Sequence, residues 1–479
     1  RLVRIVRAVG RPLAVGVRWI AEMGVFGSSG VRGVVNEDVT PGYVTELAIA
    51  AGAELGGERI ALARDTRRTG RMLADAAAST LAAAGADVDR LGVLPTPGVA
   101  YYCATEGVPA VHVTASHNPP QYNGMKLIGA DGMELTRDRL DRIEERLATG
   151  DGNDVTWETV GVASDVEGVP RAYVESVTAA VDHERIADAD LTVVIDPGHG
   201  AACGTSPDFF RALGCRVHTV NAQPHGHFPG RDPEPVAGNL DDLCAHVEAT
   251  DADVGIAHDG DADRAMVVDE TGSLVDGNAM LAALVDAAVE AGDTVVSAAN
   301  ASQRLVDVVE RADAELRLTP IGSTNIISRV RALEADGKTV PVAGEGNGGV
   351  MFPDYRIARD GAYTGAKFLE LLTDAMASEV VAPYDDYHNV RRSARYRTDA
   401  ERAAMLDAIE RTATEAVADL DTTDGFRLNY GDGWVLARPS GTEPVIRIYA
   451  EARSQDRAAA LAATFTDPVE RAVENATAR

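Results

Sequence analysis

Lysine is almost missing from this 479-residue chain. Only Lys126, Lys338 and Lys367 occur, so the rest of its 45 basic residues are arginine. Base is also scarce overall: 74 acidic residues give a formal net charge of −29 and a pI near 4.7. Such self-repulsion weakens a compact state in dilute buffer and fades when salt shortens the Debye length to about 3 Å at 1 M. Acid excess with little lysine reads as a protein of a salt-accumulating halophile's cytoplasm; the alternative is an acidic mesophilic enzyme. Either surface repels nucleic acid and acidic membranes, which argues against a DNA- or RNA-binding role. Cys103, Cys203, Cys215 and Cys244 show no metal spacing and read as thiols in a reducing cytoplasm. No stretch approaches the ~20 apolar residues of a membrane-spanning helix. No Gly-x-x-x-x-Gly-Lys-Ser/Thr cradle occurs, which argues against a sugar-phosphate kinase.

Four segments carry chemistry. In Val113-Thr114-Ala115-Ser116-His117-Asn118-Pro119-Pro120, a serine follows a β-branched run and precedes a Pro-Pro that forbids helix. Ser116 is thus placed as an exposed nucleophile at a strand end, although Ser-His-Asn is also ordinary turn chemistry. Residues Asp259, Asp261 and Asp263 alternate along Asp-Gly-Asp-Ala-Asp-Arg after an apolar run. On a tight loop they can converge on one hard cation, and oxygen-only ligands suit Mg²⁺ or Ca²⁺; the competing reading is a solvated acidic turn. An EF-hand is excluded, because Arg264 stands where its loop needs glycine and a strand precedes it. In Gly344-Glu345-Gly346-Asn347-Gly348-Gly349, glycines permit close backbone approach while Glu345 and Asn347 supply an acceptor and an amide. Finally, Arg438-Pro439-Ser440-Gly441-Thr442-Glu443-Pro444 combines a guanidinium, hydroxyls and flexible N–H groups, a set that suits phosphate.

In this order the four segments resemble the α-D-phosphohexomutase family, over a span from about Met23 to the C-terminus. Phe26-Gly27-Ser28-Ser29-Gly30-Val31-Arg32-Gly33 looks like that family's opening signature. Arg64-Asp65-Thr66-Arg67, Asn123-Gly124-Met125-Lys126 and Asp232-Pro233-Glu234-Pro235 also fall in place. The resemblance implies that Ser116 carries a phosphoryl group and exchanges it with a hexose phosphate through a bisphosphorylated sugar, which also serves as activator. It implies one Mg²⁺ on Asp259, Asp261 and Asp263, with Ser116 contributing through its phosphate. Arg32, His117, Lys126 and Arg264 would surround that phosphate as donors and proton-transfer groups. A lysine kept at 126 in so lysine-poor a chain suggests a titratable amine, against the plainer reading of a surface ion pair. Glu345 and Asn347 would read sugar hydroxyls. Arg438, Ser440, Gly441 and Thr442 would hold the phosphate that is not being transferred.

Two departures bear on substrate. Many family members end the sugar loop Ser-Gly-His where this chain has Asn347-Gly348-Gly349, a form similar to archaeal sequences, and Gly322-Ser323 stands where Gly-Asp is common. The Arg438 loop is similar to that of glucosamine phosphate mutases. The expected reaction is therefore glucosamine 6-phosphate to glucosamine 1-phosphate, with mannose or glucose phosphates as the alternative. A metal-dependent phosphatase or a non-catalytic sugar-phosphate binder are readings from other classes. The partners expected are small hexose phosphates, with oligomeric state left open.

Strand and helix patterns alternate along the chain and predict an α/β fold. Three similar mixed α/β domains and a smaller α+β C-terminal domain would surround a central cleft. The boundaries expected are 23–160 with the serine loop, 161–265 with the aspartates, 266–385 with the sugar loop and 386–479 with the phosphate loop. The last domain, tethered near 380–395, would be the mobile lid. Residues 1–22 reverse the charge pattern, with five arginines against Glu22. They read as a mistranslated extension before a natural start at Met23, or as a basic amphipathic arm or transit-like peptide. His225 and His227, flanking Gly226, read as a plain loop rather than a metal site.

Overall fold

Short apolar runs bounded by glycine and proline become strands here, and the alanine-rich stretches between them become helices. A computed structural model describes residues 26–27, 30–150, 155–440 and 444–477. The 1–22 segment lies outside the described residues.

The first sheet contains β1 (Val31–Val34), β2 (Arg59–Arg64), β3 (Asp87–Val93), β4 (Ala110–Val113), β5 (Tyr122–Ile128) and β6 (Ala163–Asp165), ordered β1-β5-β4-β2-β3-β6. Strands β4, β2, β3 and β6 run parallel, and β5 and β1 are added antiparallel at one edge. The second sheet, from β7 (Thr192–Asp196), β8 (Arg216–Thr219), β9 (Val254–His258) and β10 (Ala265–Asp269), is ordered β10-β9-β7-β8. The third, from β11 (Thr294–Ala298), β12 (Glu315–Thr319), β13 (Ala343–Glu345) and β14 (Gly349–Met351), is ordered β12-β11-β13-β14. Both repeat the plan: parallel strands with an antiparallel hairpin at the edge. The fourth sheet is antiparallel throughout, with β15 (His388–Arg395), β16 (Asp419–Asp421), β17 (Phe426–Asn429), β18 (Gly433–Pro439) and β19 (Val445–Ala452) ordered β15-β19-β18-β17-β16. Helices Asp399–Glu415 and Gln455–Thr477 accompany it. The architecture is that of three mixed α/β units and one α+β unit.

Two expected boundaries need correction. A break at 160/161 would separate β6 from the first sheet, and one at 265/266 would cut the β9–β10 hairpin. The first unit extends through Asp165 and the second through Asp269. An apolar run announces a strand but not its partner, and pairing is what assigns it to a sheet.

The units differ in how they join. A single apolar core runs from Val193, Phe209 and Ile256 of the second unit to Met280, Val295 and Phe368 of the third. The fourth unit has its own core around Val435, Ile448 and Phe465. It meets the third through polar groups: Ser302 Oγ and the Gln303 N–H donate to the Glu451 carboxylate, and Arg427 donates to the Ala299 carbonyl. Among the described residues no helix is long and apolar enough to cross a membrane.

Candidate active site

Each of the four motifs sits at a hairpin: Ser116 between β4 and β5, the aspartates between β9 and β10, Glu345 as the last residue of β13 before β14, and Arg438 near the end of β18 before β19. In the first three units that hairpin leads from a parallel strand to an antiparallel one, so the three loops are topologically equivalent.

Ser116 is fully buried and its backbone is left-handed, with φ at 50°. A non-glycine residue there costs on the order of 1 kcal/mol, which the surroundings must offset. They do so with a buried arginine. Arg67 donates to the carbonyls of Ser116 at 2.8 Å, Asn118 at 2.6 Å, Pro119 at 2.6 Å and Tyr122 at 2.9 Å, and is aligned by Asp65 at 3.0 Å. Thr114 donates its hydroxyl to Asp65 and accepts the Ser116 N–H at 2.9 Å. The serine hydroxyl then donates to Asp259 Oδ2 at 2.7 Å and lies 3.3 Å from His117 Nδ1. The two hairpins approach so closely that a Cβ at Gly260 would fall 2.6 Å from the Ser116 carbonyl oxygen.

All three aspartates are completely buried, and one oxygen from each can lie within 4.8 Å of the others. Asp261 Oδ2 accepts from Thr96 Oγ1 at 2.7 Å and pairs with Lys126 Nζ at 2.8 Å. Asp263 Oδ2 accepts from Lys126 Nζ at 2.6 Å and from Arg359 at 2.5 Å. The second oxygens, Oδ1 of Asp261 and of Asp263, have no hydrogen-bond partner although buried. Bare carboxylate oxygens in a dry pocket carry a desolvation penalty of about 1–3 kcal/mol or more unless something binds them. Hard oxygen donors are the chemistry of Mg²⁺ or Ca²⁺, so the residues present fit such a cation. Burial together with Asp261 and Asp263 pushes Asp259 up to about 7. Burial also opposes charge on Asp261, yet Lys126, His112 and Thr96 hold its carboxyl well below the usual range. Burial works against the Lys126 ammonium, and Asp261 with Asp263 outweighs it, so the lysine is held protonated.

Two arginines border the serine and aspartate loops. Arg264 Nε lies 3.8 Å from Asp259 Oδ2 and 3.9 Å from Asp263 Oδ1, and Arg32 donates to Asn118 Oδ1 at 3.1 Å. Burial, Arg264 and Arg32 drive the His117 imidazole well below its ordinary pKa, leaving it neutral. The sugar loop bonds to the aspartate hairpin, since the Gly348 carbonyl accepts the Ala265 N–H at 3.0 Å. Glu345 is buried there and accepts from Asn347 at 3.5 Å, while Asn347 Oδ1 accepts the Gly349 N–H at 3.0 Å. Arg438 belongs to a separate group: its Nε lies 2.8 Å from Asp424 Oδ2, which also accepts the Ile321 N–H at 2.8 Å. Ser440 is buried beside it, and Gly441 and Thr442 lie outside the described residues. The histidine loop holds itself together, His225 Nδ1 accepting the His227 N–H at 3.3 Å.

Thr96, Arg359 and Asp424 were not legible as site residues. Thr96 opens a helix far from the aspartates in sequence, and Asp424 sits in a surface-like Thr-Asp-Gly turn. The one local signal near Arg359 is its neighbour Asp360, which caps the helix Gly361–Leu371 by accepting the Tyr363 N–H.

Three mixed sheets, a fourth antiparallel one and functional loops at equivalent hairpins define the class: a four-domain phosphohexomutase-type enzyme. The sequence families described as phosphoglucomutase/phosphomannomutase alpha/beta/alpha domains I, II and III match residues 23–154, 171–272 and 276–387, and the C-terminal domain matches 389–467. The chain belongs to the phosphoglucomutase/phosphomannomutase family. It is 38% identical to "Phosphoglucomutase/phosphomannomutase" of Thermococcus kodakarensis, covering 91% of this chain and 96% of that one. It is likewise 38% identical to "Probable phosphoglucosamine mutase" of Methanopyrus kandleri, over 94% and 98% of the two chains. Among solved structures, a phosphoglucomutase/phosphomannomutase family protein of Burkholderia thailandensis superimposes with a TM-score of 0.78 at 29% identity, covering 95% of this chain and 98% of that one.

Proposed function

We propose that this enzyme interconverts hexose 6-phosphates and hexose 1-phosphates by way of a phosphorylated Ser116, with glucosamine phosphate as its preferred substrate. The observation that carries the reading is the Ser116 hydroxyl at 2.7 Å from Asp259, beside the bare oxygens of Asp261 and Asp263. In the first transfer the bond from Ser116 Oγ to phosphorus breaks as the sugar hydroxyl oxygen bonds to phosphorus. The sugar hydroxyl proton passes by way of the neutral His117 ring to the departing Ser116 Oγ, 3.3 Å from His117 Nδ1, which leaves as the serine hydroxyl. A loose phosphoryl transition state needs alignment and charge neutralisation more than a strong base. Arg32 and Arg264 neutralise the phosphoryl oxygens, and Lys126 keeps Asp261 and Asp263 oriented. Asp259, Asp261 and Asp263 would hold Mg²⁺, which would supply further charge neutralisation there. Glu345 and Asn347 bind sugar hydroxyls, and Arg438, Ser440, Gly441 and Thr442 hold the other phosphate. The bisphosphorylated sugar then turns over and returns its second phosphoryl group to Ser116, the serine proton passing back by way of His117 to the departing sugar oxygen. A trace of the same bisphosphate primes the serine.

Phosphoglucosamine mutase names among relatives such as that of Methanopyrus kandleri support the glucosamine preference. Four cysteines free of disulfides support a cytoplasmic setting, and the acidic, lysine-poor composition supports a salt-rich one. A coupled assay in about 1 M KCl, where surface repulsion is screened, tests the proposal with Mg²⁺ and catalytic hexose bisphosphate. Glucosamine 6-phosphate is expected to give the highest kcat/KM against the mannose and glucose esters, and Ser116→Ala to abolish turnover. Isomerisation surviving in Ser116→Ala, or net release of phosphate in place of isomerisation, rules the mechanism out.

A further inference from the structure

The sugar loop ends in Gly349, where a side chain is permitted by the backbone but not by its surroundings. A Cβ there would lie 2.8 Å from Arg359 Cδ, 3.0 Å from Asn347 Oδ1 and 3.4 Å from Arg359 NH1. Arg359 cannot easily give way. It is only 5% exposed, its NH2 donates to Asp263 Oδ2 at 2.5 Å, and the same atom lies 3.6 Å from Glu134 Oε1. Glu134 in turn accepts from Ser323 Oγ at 2.8 Å, in the loop whose Ile321 N–H reaches Asp424. The turn that carries Arg359 also rests on the aspartate hairpin, with the Gly361 N–H donating to the Ala262 carbonyl at 3.2 Å.

We infer that Arg359 is a positioning residue that fills the place of the side chain missing at 349 and orients Asp263, joining the sugar loop to the aspartate hairpin. Lys126 and Arg359 hold the same oxygen of Asp263, which leaves its other oxygen, Oδ1, buried without a hydrogen bond and 3.9 Å from Arg264 Nε. Two donors fix a carboxylate plane where one would leave it free to swing. The Gly348 carbonyl already bonds to Ala265, so a displacement of the sugar loop reaches Asp263 both through the backbone and through the guanidinium. A single nitrogen of Arg359, NH2, meets both Asp263 and Glu134, so a lysine placed there would keep the charge but not the guanidinium's planar packing beside Gly349. The inference rests on the mutase reading for its kinetic arm alone.

The test uses the full-length enzyme. Arg359→Gln is expected to lower kcat about 10- to 100-fold, the usual range for groups supporting a metal's ligands, with KM for the hexose phosphate within about threefold. Arg359→Lys should recover part of kcat. Mn²⁺ titrations followed by electron paramagnetic resonance should show the Gln variant binding the ion no more weakly than wild type, since a neighbouring cation has been removed. Gly349→Ala should lower Tm and kcat in the wild-type background and cost clearly less beside Arg359→Ala, where only the Asn347 Oδ1 contact remains. Unchanged kcat in Arg359→Gln overturns the inference, as does a loss that excess Mg²⁺ restores in step with occupancy. An equal cost of Gly349→Ala in both backgrounds overturns it too. Should wild type show no mutase turnover, the functional reading fails, while the Mn²⁺ titrations and the Tm cycle still decide the role of Arg359.

Discussion

The aspartates of the β9–β10 hairpin and Glu451 of β19 are all buried carboxylates at boundaries between units. Glu451 is fully served: Oε1 accepts from Gln303 N–H at 2.6 Å and Trp434 Nε1 at 3.2 Å, and Oε2 from Ser302 Oγ at 2.8 Å and Arg304 at 3.5 Å. Asp261 and Asp263 are served on one oxygen each and bare on the other. A buried charge with every lone pair satisfied holds structure together. One with an oxygen left open is kept at a stability cost for something that binds there. Burial alone would have ranked the two clusters as equals.

The contrast breaks most visibly at Asp261. Asp261→Asn keeps an acceptor for Thr96 and Lys126 but turns an N–H₂ toward the cation site. Turnover is expected to fall about 1,000-fold, or roughly 4 kcal/mol of transition-state stabilisation. The metal-free variant should unfold at a lower temperature than wild type, because the buried Lys126 ammonium loses one of its two carboxylates, and Mg²⁺ should no longer raise its Tm. Activity that falls only in proportion to the folded fraction would place Asp261 with the structural carboxylates.

Glu451→Gln should do the reverse. Removing one partner from a satisfied buried network costs about 2–3 kcal/mol, visible in urea unfolding. Turnover per folded molecule, assayed cold, should stay within about threefold of wild type. Should kcat fall tenfold with the fold intact, the junction between the third and fourth units takes part in turnover as more than an anchor.

A smaller effect sharpens the comparison through pH. Burial pushes His112, beside Thr96, and His258, preceding Asp259, each down to about 4. Between pH 6.5 and 4 the unfolded chain takes up these protons and the native one does not, so stability falls as pH drops. Asp259, raised to about 7, works oppositely: the native state binds its proton over much of that window and the unfolded state does not. His117, Asp261 and Asp263, all held low, add to the loss, while Asp65 and Asp360, raised by burial, add to the gain, so stability should fall on going from pH 7 to 4. Urea unfolding in EDTA over that range checks the sign. A rise in stability toward pH 4 would mean that the raised carboxyls outweigh the imidazoles.

Much of this was readable in one dimension. Ala110–Thr114, Val254–Ala257 and Gly433–Arg438 announce strands by their apolar and β-branched content, and the structure differs from those spans by a residue at an end. The aspartate spacing, the serine before Pro-Pro and the arginine-serine loop each declare their chemistry locally, because ligand type and turn residues are properties of a few neighbours. Arg359 offered no such sign, since its meaning depends on Gly349, Glu134 and Asp263 in three different units.

The sequence by itself determined the element types and the family and nominated the residues of the four loops, because periodicity, turn chemistry and ligand identity act over short stretches of chain. Tertiary structure alone decided that β6 and β10 join the first and second sheets, and that the second and third units share a core while the fourth is joined by polar groups. It also decided which carboxylate oxygens are left bare. Strand pairing, core sharing and hydrogen-bond satisfaction are set by partners distant in sequence, and only the folded chain brings those partners together.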